Sequence, residues 1–335
     1  MTAASATPII EARGLSKRFV KQPDLAERLL QRVGAGQAPS VVHAVDNVSL
    51  AIASGEVVGL VGESGCGKST LGRMIAGLLQ PSEGQVLFKG QDRAKLAGAE
   101  AKAARLAVQM IFQDPYASLN PRKRVESIIG EAPLVHGLVP RAKLGEFVGD
   151  MLKRVGLDAG FKGRYPHQFS GGQRSRIGIA RALAVSPKFL VCDEAIAALD
   201  VSIQAQIINL FMDLRQAFDL TYLFISHDLG VVRHISDRIV IMYLGRVVEA
   251  SPTAALFETP NHPYTRALLA EVPRISYEKR QFQPIKGEIP SPLEPPRGCH
   301  FHPRCPMAMP RCTEEAPVLK VIAPGRRSAC HLNDA

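Results

Sequence analysis

The sequence predicts an α/β fold in which a parallel sheet carries helices on both faces. Three observations lead to that prediction. Val57-Val-Gly-Leu-Val61, Pro187-Lys-Phe-Leu-Val-Cys-Asp193 and Thr221-Tyr-Leu-Phe-Ile-Ser226 are apolar runs without polar alternation, the pattern of strands buried on both faces. Helix-periodic stretches separate them, and 201–218 is the longest. The first run leads directly into Gly62-Glu-Ser-Gly-Cys-Gly-Lys-Ser-Thr70, which fits G-x-x-x-x-G-K-[ST], and then into the helical stretch 71–79.

In chain order, Ile9–Val20 reads as an opening strand and Gln22–Ser40 as a polar, Gly/Ala-rich insertion. Val41–Ile52 alternates as a second strand and closes in the turn Ala53-Ser-Gly-Glu56. After the glycine-rich loop and its helix, Gly84–Gly90 is a short strand, Ala94–Ala107 a helix and Val108–Gln113 a strand. Residues 120–185 are helical with polar interruptions. Ile239–Leu244 and Arg246–Glu249 flank Gly245 as a hairpin. Beyond residue 256 Pro and Arg rise, periodicity fades and cysteines gather, so a boundary is placed there.

At 335 residues the chain exceeds one ordinary domain, and 46% hydrophobic residues suffice for a substantial core. No apolar run reaches the ~18–20 residues that span a bilayer. Met1–Pro8 lacks the basic and apolar regions of a secretory signal, so a cytosolic or peripheral protein is expected. The net charge of +10 is scattered rather than clustered, and Trp is absent. Nucleic acid is therefore not expected as a partner.

The loop points to a nucleoside triphosphate. Gly62, Gly65 and Gly67 let the backbone curl so that the N–H groups of Glu63, Ser64, Cys66 and their neighbours face anionic oxygens. Lys68 can reach the β- and γ-phosphates, and the hydroxyl of Ser69, followed by Thr70, can ligate Mg²⁺. The strand at 189–193 ends in two acids. Asp193 suits Mg²⁺, and Glu194 is placed to act as general base on water. Ser170-Gly-Gly-Gln173 precedes the helical stretch 174–184 and makes a second anion-binding helix start.

Together Gly62–Thr70, Gln113, Phe169–Gln173, Leu190–Glu194, Ala198-Leu-Asp200 and His227 follow the order and spacing of an ATP-binding cassette (ABC) ATPase, which the chain resembles over residues 9–250. The resemblance implies a RecA-like core, an antiparallel β subdomain and a helical subdomain at 114–185 within a nucleotide-binding domain spanning 1–255. It implies ATP and Mg²⁺, and a head-to-tail dimer in which Ser170, Gly171, Gly172 and Gln173 close on the partner's ATP. Gln113 resembles the Q-loop residue that senses Mg²⁺, His227 the switch histidine on the γ-phosphate, and Asp200 the acid at the dimer seam. Phe19 stands where the family stacks an aromatic on adenine; the alternative is a core residue at the strand end. Phe169 replaces the commoner Leu, and Ala195 a common Pro.

The long Gln113–Arg122 segment, Tyr165–Gln173, Ala205–Asn209, Met242–Gly245 and His262-Pro-Tyr-Thr-Arg-Ala-Leu-Leu269 resemble the dipeptide/oligopeptide importer ATPases, closest to the F-type subunit of dipeptide importers. That resemblance implies a second, similar ATPase, two transmembrane permease subunits and an extracytoplasmic peptide-binding protein. It places the chain on the cytoplasmic face of the membrane. Relatives carry nickel, glutathione or peptide-like compounds, so these cargoes stand as alternatives, as does a soluble non-transport ABC ATPase.

Cys299, Cys305, Cys312 and Cys330 lie in a Pro/Arg-rich segment, part of a small irregular Cys-rich domain expected over 256–335. Four thiolates suit a [4Fe–4S] cluster or tetrahedral Zn²⁺, and reduced thiols are the remaining alternative. The spacing C-x5-C-x6-C-x17-C lacks the paired C-x2-C of zinc ribbons, while His300, His302 and His331 nearby suit zinc. The resemblance to peptide-importer ATPases implies the [4Fe–4S] cluster.

Overall fold

The computed structural model describes residues 7–20, 40–272 and 287–334. The insertion read at 22–40 lies outside them apart from Ser40. The strands are β1 (Ile10–Val20), β2 (Val41–Ile52), β3 (Val57–Val61), β4 (Glu83–Phe88), β5 (Gln91–Asp92), β6 (Val108–Ile111), β7 (Phe189–Asp193), β8 (Thr221–Ser226), β9 (Arg238–Tyr243), β10 (Arg246–Pro252), β11 (Lys320–Ala323) and β12 (Arg326–Ser328).

They form two sheets. One is four-stranded in the order β2-β1-β4-β5, antiparallel throughout. The other runs β11-β12-β10-β9-β3-β8-β7-β6 and is parallel from β9 through β6. β3, β7 and β8 are buried at every residue, which explains their continuous apolar runs.

The helix Val201–Phe218 shows how the second sheet is covered. Ile207, Leu210, Phe211 and Leu214 recur at helical spacing and are buried, while the opposite face stays polar. The Phe211 ring lies edge-on to Tyr222 and Phe224 of β8, with centroids 5.7 and 5.9 Å away. Burying such a ring contributes about 1.5–3 kcal/mol. The helix stops at Asp219, whose backbone turns left-handed at φ 52°.

The helices Val125–Val135, Leu144–Arg154 and Gly171–Leu183 pack together through Ile129, Val148, Leu152 and Ile177. They build the helical layer expected within 114–185. The β9–β10 hairpin turns on Leu244 (φ 39°) and Gly245 (φ 82°). Two left-handed residues in succession suit the twist of a tight hairpin.

One expectation is corrected. The Cys-rich segment does not stand apart as a small irregular domain. Glu249 and Ala250 of β10 pair with Ser328 and Arg327 of β12, and β11 pairs with β12, so the segment extends the main sheet. Phe301 is buried among the rings of Tyr243 and Tyr264, each 5.2 Å away. The reason is physical: a stretch rich in Pro and Arg cannot close a core of its own and borrows one. Among the described residues no helix is long and apolar enough to cross a membrane.

Candidate nucleotide site

β3 ends in the glycine-rich loop, and the helix Lys68–Ala76 begins at its far side. Two glycines are required by space. A Cβ on Gly62 would lie 2.1 Å from the Met242 carbonyl oxygen, and one on Gly67 (φ 104°) would lie 2.1 Å from that of Ala44. The loop is thus pressed against β2 and β9. No side chain caps the helix at Gly67, so its first N–H groups remain open to an anion.

Lys68 is buried, and its Nζ donates to the carbonyls of Gly62 (2.7 Å) and Glu63 (2.9 Å). Ser64 and Gly65 form the exposed tip of the loop, while the Cys66 thiol is buried and pushed upward in pKa by that burial. Glu63 departs from the expected inward-facing pattern. Its N–H donates to the Tyr264 hydroxyl at 3.0 Å, and its carboxylate accepts from Arg304.

Asp193 closes β7 and is buried. Its carboxylate accepts from the Ser69 hydroxyl at 2.7 Å. Burial raises its pKa, against the lowering effects of the Ser69 bond and of Arg73 and Lys68. Glu194 follows with φ 45°, a left-handed backbone. Its carboxylate accepts from Gln113 Nε2 at 2.6 Å and lies 3.5 Å from His227 Nδ1. Gln113, Glu194 and His227 each follow the C-terminal end of a strand: β6, β7 and β8. Those strands are adjacent and parallel, so the sheet delivers the three side chains to one edge. The grouping has a carboxylate with two polar neighbours to orient it, beside a hydroxyl–carboxylate pair suited to a hard cation.

Ser170 begins the helix Gly171–Leu183. Its hydroxyl accepts from Gln173 N–H at 3.3 Å, and the Gln173 side chain accepts from Ser170 N–H at 3.1 Å. Gly171 and Gly172 lie against Leu199 and Ile203, next to Asp200 at the start of the helix Val201–Phe218. Among the described residues no hydrogen bond or ion pair joins Ser170–Gln173 to the glycine-rich loop. Phe19, at the end of β1, is 42% exposed, with Lys17 Nζ 5.3 Å from its ring centroid; it is not a core residue.

The four tail cysteines are free thiols, and among the described residues no group of three or more His, Cys, Asp or Glu side chains is arranged to hold a metal ion. The ligating cluster expected from their spacing is not displayed. They are nonetheless neighbours. Burial, with smaller contributions from Cys312, Cys330 and Cys305, lifts Cys299 to about 11. Burial also raises Cys305 and Cys330. The nearby backbone N–H groups of Phe301, Met307 and Leu332 act the other way, lowering Cys299, Cys305 and Cys330 respectively.

Sequence reasoning missed the two residues that hold Glu63. Tyr264 falls in a quoted motif, but nothing in it indicated a bond to the loop. Arg304 is one of 41 basic residues and carries no signal of its own.

Comparison with known proteins agrees with this geometry. Residues 45–197 match the ABC transporter family, and residues 248–312 match the oligopeptide/dipeptide transporter C-terminal region. The oligopeptide transport ATP-binding protein AppF of Bacillus subtilis is 52% identical over 99% of both chains. The putative oligopeptide transport ATP-binding protein YkfD of the same organism is 54% identical over 87% of this chain and 90% of its own. Among solved structures, cbiO1 of Clostridium perfringens, part of an ABC transporter complex, superposes with a TM-score of 0.60 at 26% identity, over 76% of this chain and 92% of that one. A dimeric ATP-binding cassette in a post-hydrolysis state with ADP and Pi gives 0.61 at 27% identity, over 73% and 98%. With a glycine-rich loop, a carboxylate edge and a full-length match to transport ATP-binding proteins, the chain belongs to the ABC transporter ATPases and carries the C-terminal region of their oligopeptide/dipeptide group.

Proposed function

We propose that this chain is the ATP-hydrolysing, energy-coupling subunit of a di- and oligopeptide importer. The observation that carries the reading is the Gln113–Glu194–His227 grouping beside Ser69 and Asp193, in a chain whose full length matches oligopeptide transport ATP-binding proteins. Gly62–Thr70 holds the triphosphate, with Lys68 on its β- and γ-oxygens, and Phe19 stacks on adenine. Glu194 takes a proton from the attacking water. Gln113 and His227 orient its carboxylate, and His227 contacts the γ-phosphate. Ser69, Asp193 and Gln113 offer oxygen donors for Mg²⁺, which when bound neutralises charge on the phosphates.

Ser170–Gln173 serves the ATP of a second, similar cassette, and Asp200 lies at the seam between the two. Residues 1–255 form the nucleotide-binding unit and 256–335 the extension. Two permease subunits and an extracytoplasmic peptide-binding protein complete the importer, with this chain peripheral on the cytoplasmic face. The four tail cysteines form a [4Fe–4S] site, with Zn²⁺ as the alternative. Four neighbouring free thiols, three of them raised in pKa mainly by burial, are the ligand type that either group takes.

The reading is tested by purifying the tagged chain from membranes in mild detergent. Recovery with a second ATPase and two membrane proteins, and hydrolysis stimulated by peptide-loaded binding protein, is the expected result. Purification without any membrane protein, or hydrolysis indifferent to peptide, would overturn the import role. Anaerobic protein with about four irons per chain supports the cluster; stoichiometric zinc replaces it, and neither metal removes the site.

A further inference from the structure

We propose that Arg304, in the C-terminal segment, is a positioning residue for the phosphate loop and sets the affinity of that loop for ATP. The proposal rests on the reading that Gly62–Thr70 holds the triphosphate. Glu63 is the second residue of that loop. A carboxylate there is a liability, because a loop that must attract several negative charges carries one of its own. The fold turns this acid away. Arg304 donates to both Glu63 oxygens, Nη1 at 2.7 Å and Nη2 at 2.9 Å, in a bidentate fork. The Arg304 side chain is only 5% exposed, and Nη1 also reaches the Tyr243 hydroxyl at 3.4 Å. The backbone of Glu63 is held from the same side, by the Tyr264 hydroxyl.

These three contacts share one support. The Tyr243 ring packs edge to face with Tyr264, centroids 4.7 Å apart, and with Phe301, while Tyr264 and Phe301 are tilted against each other. Arg304 is fixed on a tight turn by its N–H to the Phe301 carbonyl at 3.0 Å. Pairing separates Glu63 from Arg304 by 241 residues in sequence, so this is a contact of the extension on the loop and not a local turn. Two consequences follow. The loop's backbone is held at Glu63, and the acid's charge is neutralised where a triphosphate would feel it.

The second consequence gives a test that a purely structural contact would not pass. ATP affinity of the full chain is measured by equilibrium binding of a fluorescent ATP analogue. Arg304→Ala should weaken binding about 10-fold, the effect of one uncompensated charge at roughly 10 Å in a partly screened site. Arg304→Lys should fall between, since a single ammonium keeps the charge but loses the fork. Adding Glu63→Gln to Arg304→Ala should restore most of the affinity, because the repelling charge is gone although the contact is still missing. In the assembled transporter the loss should appear in KM with kcat retained. The thermal midpoint of each variant shows that it is folded. If Arg304→Ala does not fold, Arg304→Gln, which keeps hydrogen-bonding groups without the charge, alone and combined with Glu63→Gln decides by the same rescue. Unchanged affinity in a folded Arg304 variant, or a double variant that binds no better than the Arg304 single, overturns the proposal. A wild-type chain that binds no ATP overturns instead the reading of the loop on which the proposal stands.

Discussion

Two helices of this chain begin at glycine-containing turns, and they begin differently. The helix Lys68–Ala76 starts from Gly67, left-handed and without a side-chain cap, with the Lys68 ammonium and the Ser69–Asp193 bond beside it. The helix Gly171–Leu183 starts from Ser170, whose hydroxyl and Gln173 satisfy each other's backbone N–H groups in a capping box. The first end leaves its donors open and surrounds them with positive charge and metal-binding oxygens. The second closes on itself and is stable without a ligand. The difference fits the proposed division of labour, in which the open end holds this chain's ATP and the capped end serves a second cassette.

The largest effect should come from the chemistry assigned wholly to the first end. Glu194→Gln should keep ATP binding and lower turnover in the assembled transporter by ~10²–10⁴-fold, as loss of a general base does. Wild-type turnover would break the comparison, because the carboxylate edge would then be idle.

Next is the open helix end itself. Lys68→Ala removes the cation that bridges the Gly62 and Glu63 carbonyls, and ATP binding by the full chain should fall roughly 10²-fold, the loss of one or two charge-assisted bonds. Equal binding by wild type and variant would mean that the first end does not anchor the ligand.

The capped end should respond more weakly and only in the assembly. Ser170→Ala should destabilise its helix by about 1 kcal/mol and leave ATP binding to the separate chain intact. Turnover of the assembled transporter should drop about 10-fold, the equivalent of one hydrogen bond of about 1.4 kcal/mol. A drop in binding by the separate chain would show that both ends serve the same ATP.

The smallest effect concerns the support behind the first end. His262 is buried, accepts from Tyr264 N–H at 3.1 Å, and is pulled down to about 4 by burial. The unfolded chain takes up this proton near the ordinary histidine value, whereas the folded chain refuses it until about 4. The stability contributed is therefore complete above about 6.5 and lost as pH falls from there toward 4, at up to about 1.4 kcal/mol per pH unit. Urea midpoints measured across that window should slope for the wild type and flatten in His262→Asn. Identical slopes would remove His262 from the account of how Tyr264 is held.

The parts of this molecule that a sequence reveals are those whose causes are local. Residues 41–52, 57–61, 201–218 and 221–226 are read to the residue, because buried strands and an amphipathic helix announce themselves by spacing, and two of them stop at Gly62 and Asp219. The cap at Ser170 is equally plain, while the answering Gln173 side chain is seen only in the structure. The meeting of Gln113, Glu194 and His227 is not local. It follows from the strand order β6-β7-β8, which motif order suggested only through resemblance to a family. The Arg304–Glu63 pair and the pairing of β12 with β10 join distant segments in a stretch without periodicity, and no single sequence encodes them visibly. The mutual proximity of the four cysteines was suggested by their spacing, but their arrangement was not.

Glu194 is held with φ at 45°, in a backbone region that L residues other than glycine, asparagine and aspartate seldom adopt. Any side chain with a Cβ pays about 1–2 kcal/mol there, whatever its chemistry. Alanine and glycine at this position would remove the same carboxylate and differ chiefly in that strain, so the glycine form should be the sturdier of two inactive proteins. The chain therefore carries, at the edge of the sheet, a residue whose backbone conformation costs stability. An effort to harden this ATPase against heat by sequence optimisation would find Glu194 among its early targets and, on the general-base role proposed for it, would trade turnover for robustness at that step.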